Sequence, residues 1–156
     1  MEQAKYTAEK IAQWFIHYGA ADSAPGDLSN LKLQKLLYYA QGWHMALKDQ
    51  PLFPEEIQAW SHGPVINNLY HRFKHFGSGD VMPEPTSGFQ WADIDGDTTD
   101  LLIEVWEKYA QFSAWKLRNM THEEAPWRDA WQPGVLNLSI PAASIGAYFK
   151  GIAPTT

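Results

Sequence analysis

His71 and His75 stand four residues apart, the spacing that sets two imidazoles on one helical face as nitrogen ligands for a metal ion. A third ligand would have to come from His62 or from the His122-Glu123-Glu124 cluster. No acid lies between the two histidines, as a zinc hydrolase helix would need. The pair reads instead as partly exposed histidines favouring the C-terminal half of a helix. Asp93, Asp95, Asp97 and Glu104 match calcium-loop positions, but Thr98 stands where that loop needs its turning glycine. An acidic turn leading into a capped helix is the expectation. Thr121-His122-Glu123-Glu124 places an imidazole beside carboxylates, a combination able to tune a general acid or base. No nucleophile accompanies it: cysteine is absent, and there is no GxSxG elbow, P-loop or GxGxxG pattern. His122 is therefore expected to be structural, its ring hydrogen-bonded beneath Trp127. The reading is of a chain with no catalytic residue, no metal and no cofactor.

The remaining candidates bind rather than react. Lys32, Gln34, Lys35, Tyr38 and Gln41 lie off the apolar stripe of one strongly periodic segment, as long polar groups that either face solvent or grip a partner. Trp14, Trp60, Trp91 and Trp115 are less securely placed in a core than the other tryptophans and are candidates for an exposed aromatic anchor.

These groups must be positioned by helices. Within Leu33–Leu47 the apolar residues Leu33, Leu36, Leu37, Ala40, Trp43 and Leu47 recur at helical spacing, with Ser29 as cap and Leu28 as staple. Thr7 opens an earlier helix ending at Gly19, and the stretch 20–27 reads as a loop. Pro54-Glu55-Glu56 suits a helix first turn, although Glu56–Trp60 fits an extended segment equally well. Ser61-His62-Gly63-Pro64 is a turn into a helix with Pro64 in its first turn, burying Ile66, Leu69, Tyr70 and Phe73 and ending at Gly77. Residues 77–97 are irregular, a longer loop or small hairpin. Asp97 and Asp100 open a long helix burying Leu102, Val105, Tyr109 and Phe112. Ser113 caps another through Met120, Pro126 starts a further turn, and Ser139 caps a last helix burying Ile145, Tyr148 and Phe149. The expected fold is all-α: one compact bundle of five to seven helices, a single domain over residues 1–156.

Composition narrows the function. A chain of 156 residues, 45% hydrophobic and 14% aromatic with eight Trp, can bury a sizeable core. A net charge of -6 argues against binding nucleic acid through its phosphates and suits a basic protein partner. Lys32 and Lys35 beside Tyr38 and Tyr39 make too small a basic footprint to change that. With no cysteine, no signal core and no apolar run of membrane-spanning length, the expected location is cytoplasmic, away from any membrane.

Several blocks in order carry a family likeness: LKLQKLLYYAQGWH within Leu28–His44, PLF at Pro51–Phe53, ExIxAWxxGPV at Glu55–Val65, LYxxF at Leu69–Phe73 and THEEAPW at Thr121–Trp127. Together they resemble the Panacea, or SocA-like antitoxin, domain, a family met in prophages and mobile elements. His62 stands where an aromatic residue would be expected. The resemblance implies a mostly helical protein that neutralises a toxin encoded by the adjacent gene, by direct protein–protein binding. The alternative it leaves is a proteolytic adaptor that hands the toxin to a cellular protease; a metal-dependent enzyme using the histidines is a remoter one. A homo-oligomer is compatible with the sequence, and DNA binding by this chain alone is not expected. The motif residues that the resemblance offers for partner binding are Lys32, Gln34, Lys35, Tyr38, Trp43, Trp60, His62, Gly63, Pro64, Tyr70, His122, Glu124 and Trp127. Most of them are also expected to hold the scaffold, leaving partner choice to the loops, especially 77–97.

Overall fold

The computed structural model describes residues 4–22 and 27–154. Residues 23–26 of the expected 20–27 loop lie outside the described residues. Helix α1 (Ala8–Ala21) starts where the Thr7 hydroxyl accepts the Lys10 amide hydrogen. Helix α2 (Asn30–Lys48) starts likewise, with Ser29 accepting from the Lys32 amide at 3.2 Å. It stops at Asp49, which adopts the left-handed conformation (φ 57°) two residues ahead of Pro51.

The chain then departs from the all-α expectation. Strands β1 (Ile57–Trp60) and β2 (Gly63–Val65) form an antiparallel hairpin in which Trp60 pairs with Gly63. Strand β3 (Leu138–Ile140) pairs antiparallel with the other side of β1, giving the order β2-β1-β3. Three- and four-residue strands are too short to show alternation, and Ile57, Gln58 and Ala59 are all buried, so both faces of β1 are covered. The third strand also arrives from far along the chain, which local pattern cannot reveal. Glu56–Trp60 therefore resolves as extended, and Pro64 belongs to a strand instead of a helix first turn. Ser139 lies in β3 rather than capping a helix.

Helix α3 (Asn67–Phe73) passes into a 3-10 turn (Lys74–Phe76) closed by Gly77. Residues 77–97 carry one 3-10 turn (Trp91–Asp93) and an isolated bridge between Ser29 and Asp80, so they form a loop and not a hairpin. Helix α4 (Gly96–Tyr109) is capped by Asp95, two residues before the expected Asp97. Helices α5 (Ala114–His122), capped by Ser113, and α6 (Ala125–Ala130), with proline in its first turn, follow. Helix α7 (Ala142–Ile152) begins after Pro141 with no side-chain cap.

Helix α2 runs through the middle of the apolar core. From Asn30 to Gly42 every residue except Leu31 is buried, while Leu47, assigned to the stripe, is exposed. At Gly42 an added Cβ would lie 2.2 Å from the Phe149 ring, so α7 crosses α2 at a distance only glycine permits.

Asp95 ties the start of α4 to the residues before α1. Its carboxylate accepts from the Thr98 amide, Lys5 Nζ and the Tyr6 hydroxyl. Those bonds, the Thr98 amide foremost, hold its pKa far below the carboxylate norm. Asp95→Ala should lower stability by about 1 kcal/mol in urea denaturation at pH 7. The stabilisation exists above the unfolded value of 3.8 and disappears as pH falls through the depressed folded value. Variant and wild type should therefore converge in acid.

Candidate protein-binding face

The polar residues of α2 do not face solvent, and that expectation is corrected by the packing. Lys32 is buried, its ammonium bonded to Asp27 Oδ1 at 2.6 Å and to the carbonyl of Ala110 at the C-terminal end of α4. Gln34 accepts the Ile66 amide hydrogen at 2.9 Å and donates to Asn30, whose amide in turn donates to the Tyr70 carbonyl. Gln41 receives the Leu52 and Phe53 amides and donates to the Phe53 carbonyl. Backbone groups of segments that cross a helix lack ladder partners, and these side chains supply them. One helix thus pins the backbone at residues 52–53, 66, 70 and 110.

Lys35 and Gly63 form the tightest of these joints. The Lys35 ammonium donates to the Pro64 carbonyl at 3.0 Å, on the outer edge of β2. Gly63 has φ +108°, and a Cβ there would stand 2.6 Å from Lys35 Cε and 2.9 Å from Thr121 Oγ1. Full burial lowers the Lys35 pKa to about 7, with the Arg118 charge adding to the effect.

Beside this joint Glu124, also buried, accepts the Tyr38 and Tyr39 hydroxyl hydrogens, each at 2.9 Å. Burial raises its pKa to about 7, against the two hydrogen bonds, which favour the ionised form. Tyr39, which is not among the partner-binding candidates of the sequence, stacks on Tyr109 with centroids 3.8 Å apart. Tyr38 and Glu124 are internal parts and offer nothing to a partner directly.

Outside these joints lies a surface built from the hairpin tip, α5 and α6. The His122 ring packs on Trp127 at 3.8 Å and shares a hydrogen bond of 3.1 Å between Nε2 and the Ser61 carbonyl. Burial and the Arg118 charge lower its pKa. Trp127 donates Nε1–H to the Trp60 carbonyl at 2.7 Å and stacks on Trp131. Trp60 is half-buried, 5.0 Å from the Tyr70 ring. His62 is exposed at the tip, where its Nδ1 accepts from Arg118 Nε at 3.4 Å. The structure thus brings Trp60, His62, Gly63, Pro64, Tyr70, His122 and Trp127 into one region, with Lys35, Tyr38 and Glu124 beneath it.

Trp43 is elsewhere. Its Nε1–H donates to the Tyr109 hydroxyl, and its ring lines a groove of about 310 Å³ between α2 and α4. The sequence reading missed Arg118, whose guanidinium lies 4.4 Å from the Trp115 ring centroid. The signal was available: Trp115, Arg118 and His122 are spaced three and seven apart and share one side of a helix. Trp14 is buried, whereas Trp91 is half-exposed on the 77–97 loop, against Trp14 and His17.

His71 and His75 sit exposed on α3 and the 3-10 turn after it, and among the described residues no group of three or more His, Cys, Asp or Glu is placed to hold a metal ion. Asp93 is instead bonded to Lys10. No helix among the described residues is long and apolar enough to cross a membrane.

Comparison with known proteins meets the same elements. The family model "Antitoxin SocA-like, Panacea domain" matches residues 33–128, from the first turn of α2 into α6. Antitoxin SocA of Caulobacter vibrioides (strain NA1000 / CB15N) is 39% identical over 70 residues, which cover 45% of this chain and 36% of that relative. The matched stretch therefore spans little more than a third of the relative's length. No solved structure matches the chain. The residues that the family model covers include the pinned helix, the hairpin and the aromatic face, and amount to more than half of the chain, which belongs to the SocA-like antitoxin, Panacea domain, family.

Proposed function

We propose that this protein is an antitoxin that neutralises a toxin encoded by the adjacent gene through direct binding, acting in the cytoplasm as a single domain without catalysis of its own. Family membership carries the reading. The surface supports it: Trp and Arg dominate the energetics of protein interfaces, and here both project from a rigidly pinned scaffold. The toxin would be blocked by occlusion, with the hairpin tip and α5 laid over its active site or substrate channel. Tight neutralisation calls for an interface of at least ~1,200 Å². The exposed 77–97 loop would then add contacts particular to each toxin.

Co-expression with the neighbouring gene tests this. The neighbour should arrest growth alone and become harmless when bound by this protein, the pair surviving a pull-down. Rescue without a stable complex would replace occlusion by delivery to a protease. A neighbour that is harmless and unbound would overturn the reading.

A further inference from the structure

Arg118 is a cation without a carboxylate, in a protein carrying a net charge of -6. Among the described residues its ion pairs are none: Nε–H goes to His62, and one Nη1 hydrogen goes to Asn119 Oδ1 at 3.0 Å. A guanidinium has five N–H donors, so most of this group's capacity is unspent. Its position is nonetheless set, because Cζ lies over the Trp115 ring and Nε–H is held by His62. The Trp115 ring itself is 58% exposed. Next to it on α5, Lys116 also lacks an ion pair among the described residues. The local field is positive enough to act on the interior, since the Arg118 charge opposes protonation of both Lys35 and His122. Two acids that follow α5 have other partners: Glu124 is taken by two tyrosines and Asp129 pairs with Arg128. Glu123, at the end of α5, is exposed and is not bonded to Arg118.

We infer that Arg118, stacked on Trp115 and braced by His62, is the docking point for a carboxylate of an acidic segment of a partner protein. The chemistry is specific. With Nε–H given to His62, the remaining Nη1 and Nη2 hydrogens offer the end of the planar guanidinium to a carboxylate in two parallel bonds, and the flat indole beside it takes the apolar part of the same segment. A partner selected by the chain's net charge would be basic; this face runs opposite to that charge and selects an acidic stretch. The inference rests on the protein-binding reading above and names the chemistry of the partner at that surface.

A phage-displayed library of random 12-residue peptides panned against the whole protein tests it without requiring the toxin. Enriched peptides should carry Asp or Glu next to an apolar residue and should bind Arg118→Gln at least tenfold more weakly. Arg118→Lys should not restore them, because an ammonium keeps the charge and loses the fork. Trp115→Ala should weaken the same peptides. Arg118 and Trp115 are outside the core, so unchanged thermal melting confirms that these variants fold. Absence of enrichment, enrichment of non-acidic peptides, or equal binding by Arg118→Gln would overturn the inference. So would a single-stranded 20-nucleotide DNA that competes for the face as well as the peptides do. Acidic peptides recovered while the neighbouring gene product stays unbound would leave this face intact and remove the neighbouring toxin as its partner.

Discussion

Gly63→Ala should lower stability by about 4 kcal/mol, combining a backbone conformation closed to alanine with overpacking of the joint beneath it. The substitution adds one methyl group. At φ +108° that methyl meets Lys35 Cε at 2.6 Å and Thr121 Oγ1 at 2.9 Å, both held by their own bonds. Lys35 can yield only by leaving the Pro64 carbonyl, which strands a donor and an acceptor in the core. The hairpin tip carrying His62 would then move away from Arg118. Urea denaturation should show the loss, and a protein that still folds should lose partner binding as well. The double variant Gly63→Ala with Lys35→Met should cost less than the sum of the two singles, because they share one joint. Additive costs would mean that the contact with Lys35 does not matter.

Lys35 also leaves a mark on the pH dependence. Its folded pKa of about 7 lies below the ordinary 10.5, so the unfolded chain binds more protons between those values. Stability should therefore rise with pH across that window, and Lys35→Met should flatten the rise. Melting temperatures at pH 7 and pH 9 decide it.

Glu124→Ala should cost about 3 kcal/mol or more, the second large effect. The change leaves the Tyr38 and Tyr39 hydroxyls buried with no acceptor and opens a cavity beside them. Glu124→Gln keeps the volume and can still accept one hydroxyl hydrogen while donating to the other oxygen, so it should cost far less. It also isolates the titration. The folded pKa of about 7 lies above the unfolded 4.5, so the carboxyl contributes stability that is full below pH 4.5 and is lost as pH rises through 7. The Glu124→Gln variant should lack that decline between pH 5 and 7. A slope identical to the wild type's would show that Glu124 is solvated. Because neither Glu124 nor Lys35 reaches the surface, Glu124→Gln should bind the partner normally, in contrast to Arg118→Gln.

Much of the architecture was legible locally. Thr7, Ser29 and Ser113 cap the helices expected of them, because a cap bond spans three residues and is written into those residues alone. The α2 stripe from Leu33 to Ala40 is buried as its periodicity requires. The sheet was not legible, since β3 pairs with β1 across some eighty residues and has no local signature. Nor was the role of the α2 polar side chains. Periodicity places Lys32, Gln34, Lys35, Tyr38 and Gln41 on a second face, and from sequence alone a second polar face means water or a ligand. That inference assumes one side of the helix is free.

The sequence by itself determined most of the helices, the caps at Thr7, Ser29 and Ser113 and, through five blocks in a fixed order, the family. Each of those is stated by neighbouring residues or by their order along the chain. Only the tertiary structure decided that α2 has no free side between Lys32 and Gly42. Packing it between α4, α7 and the hairpin surrounds its polar groups with backbone amides and carbonyls that need partners, so residues suited to gripping something hold the protein's own chain. The same packing assembles the outer face from two distant blocks, the tip at Ser61–Pro64 and the helix at Trp115–His122. Arg118 acquires its meaning there, because a guanidinium becomes a docking point only when its neighbours fix its position and leave its charge unanswered.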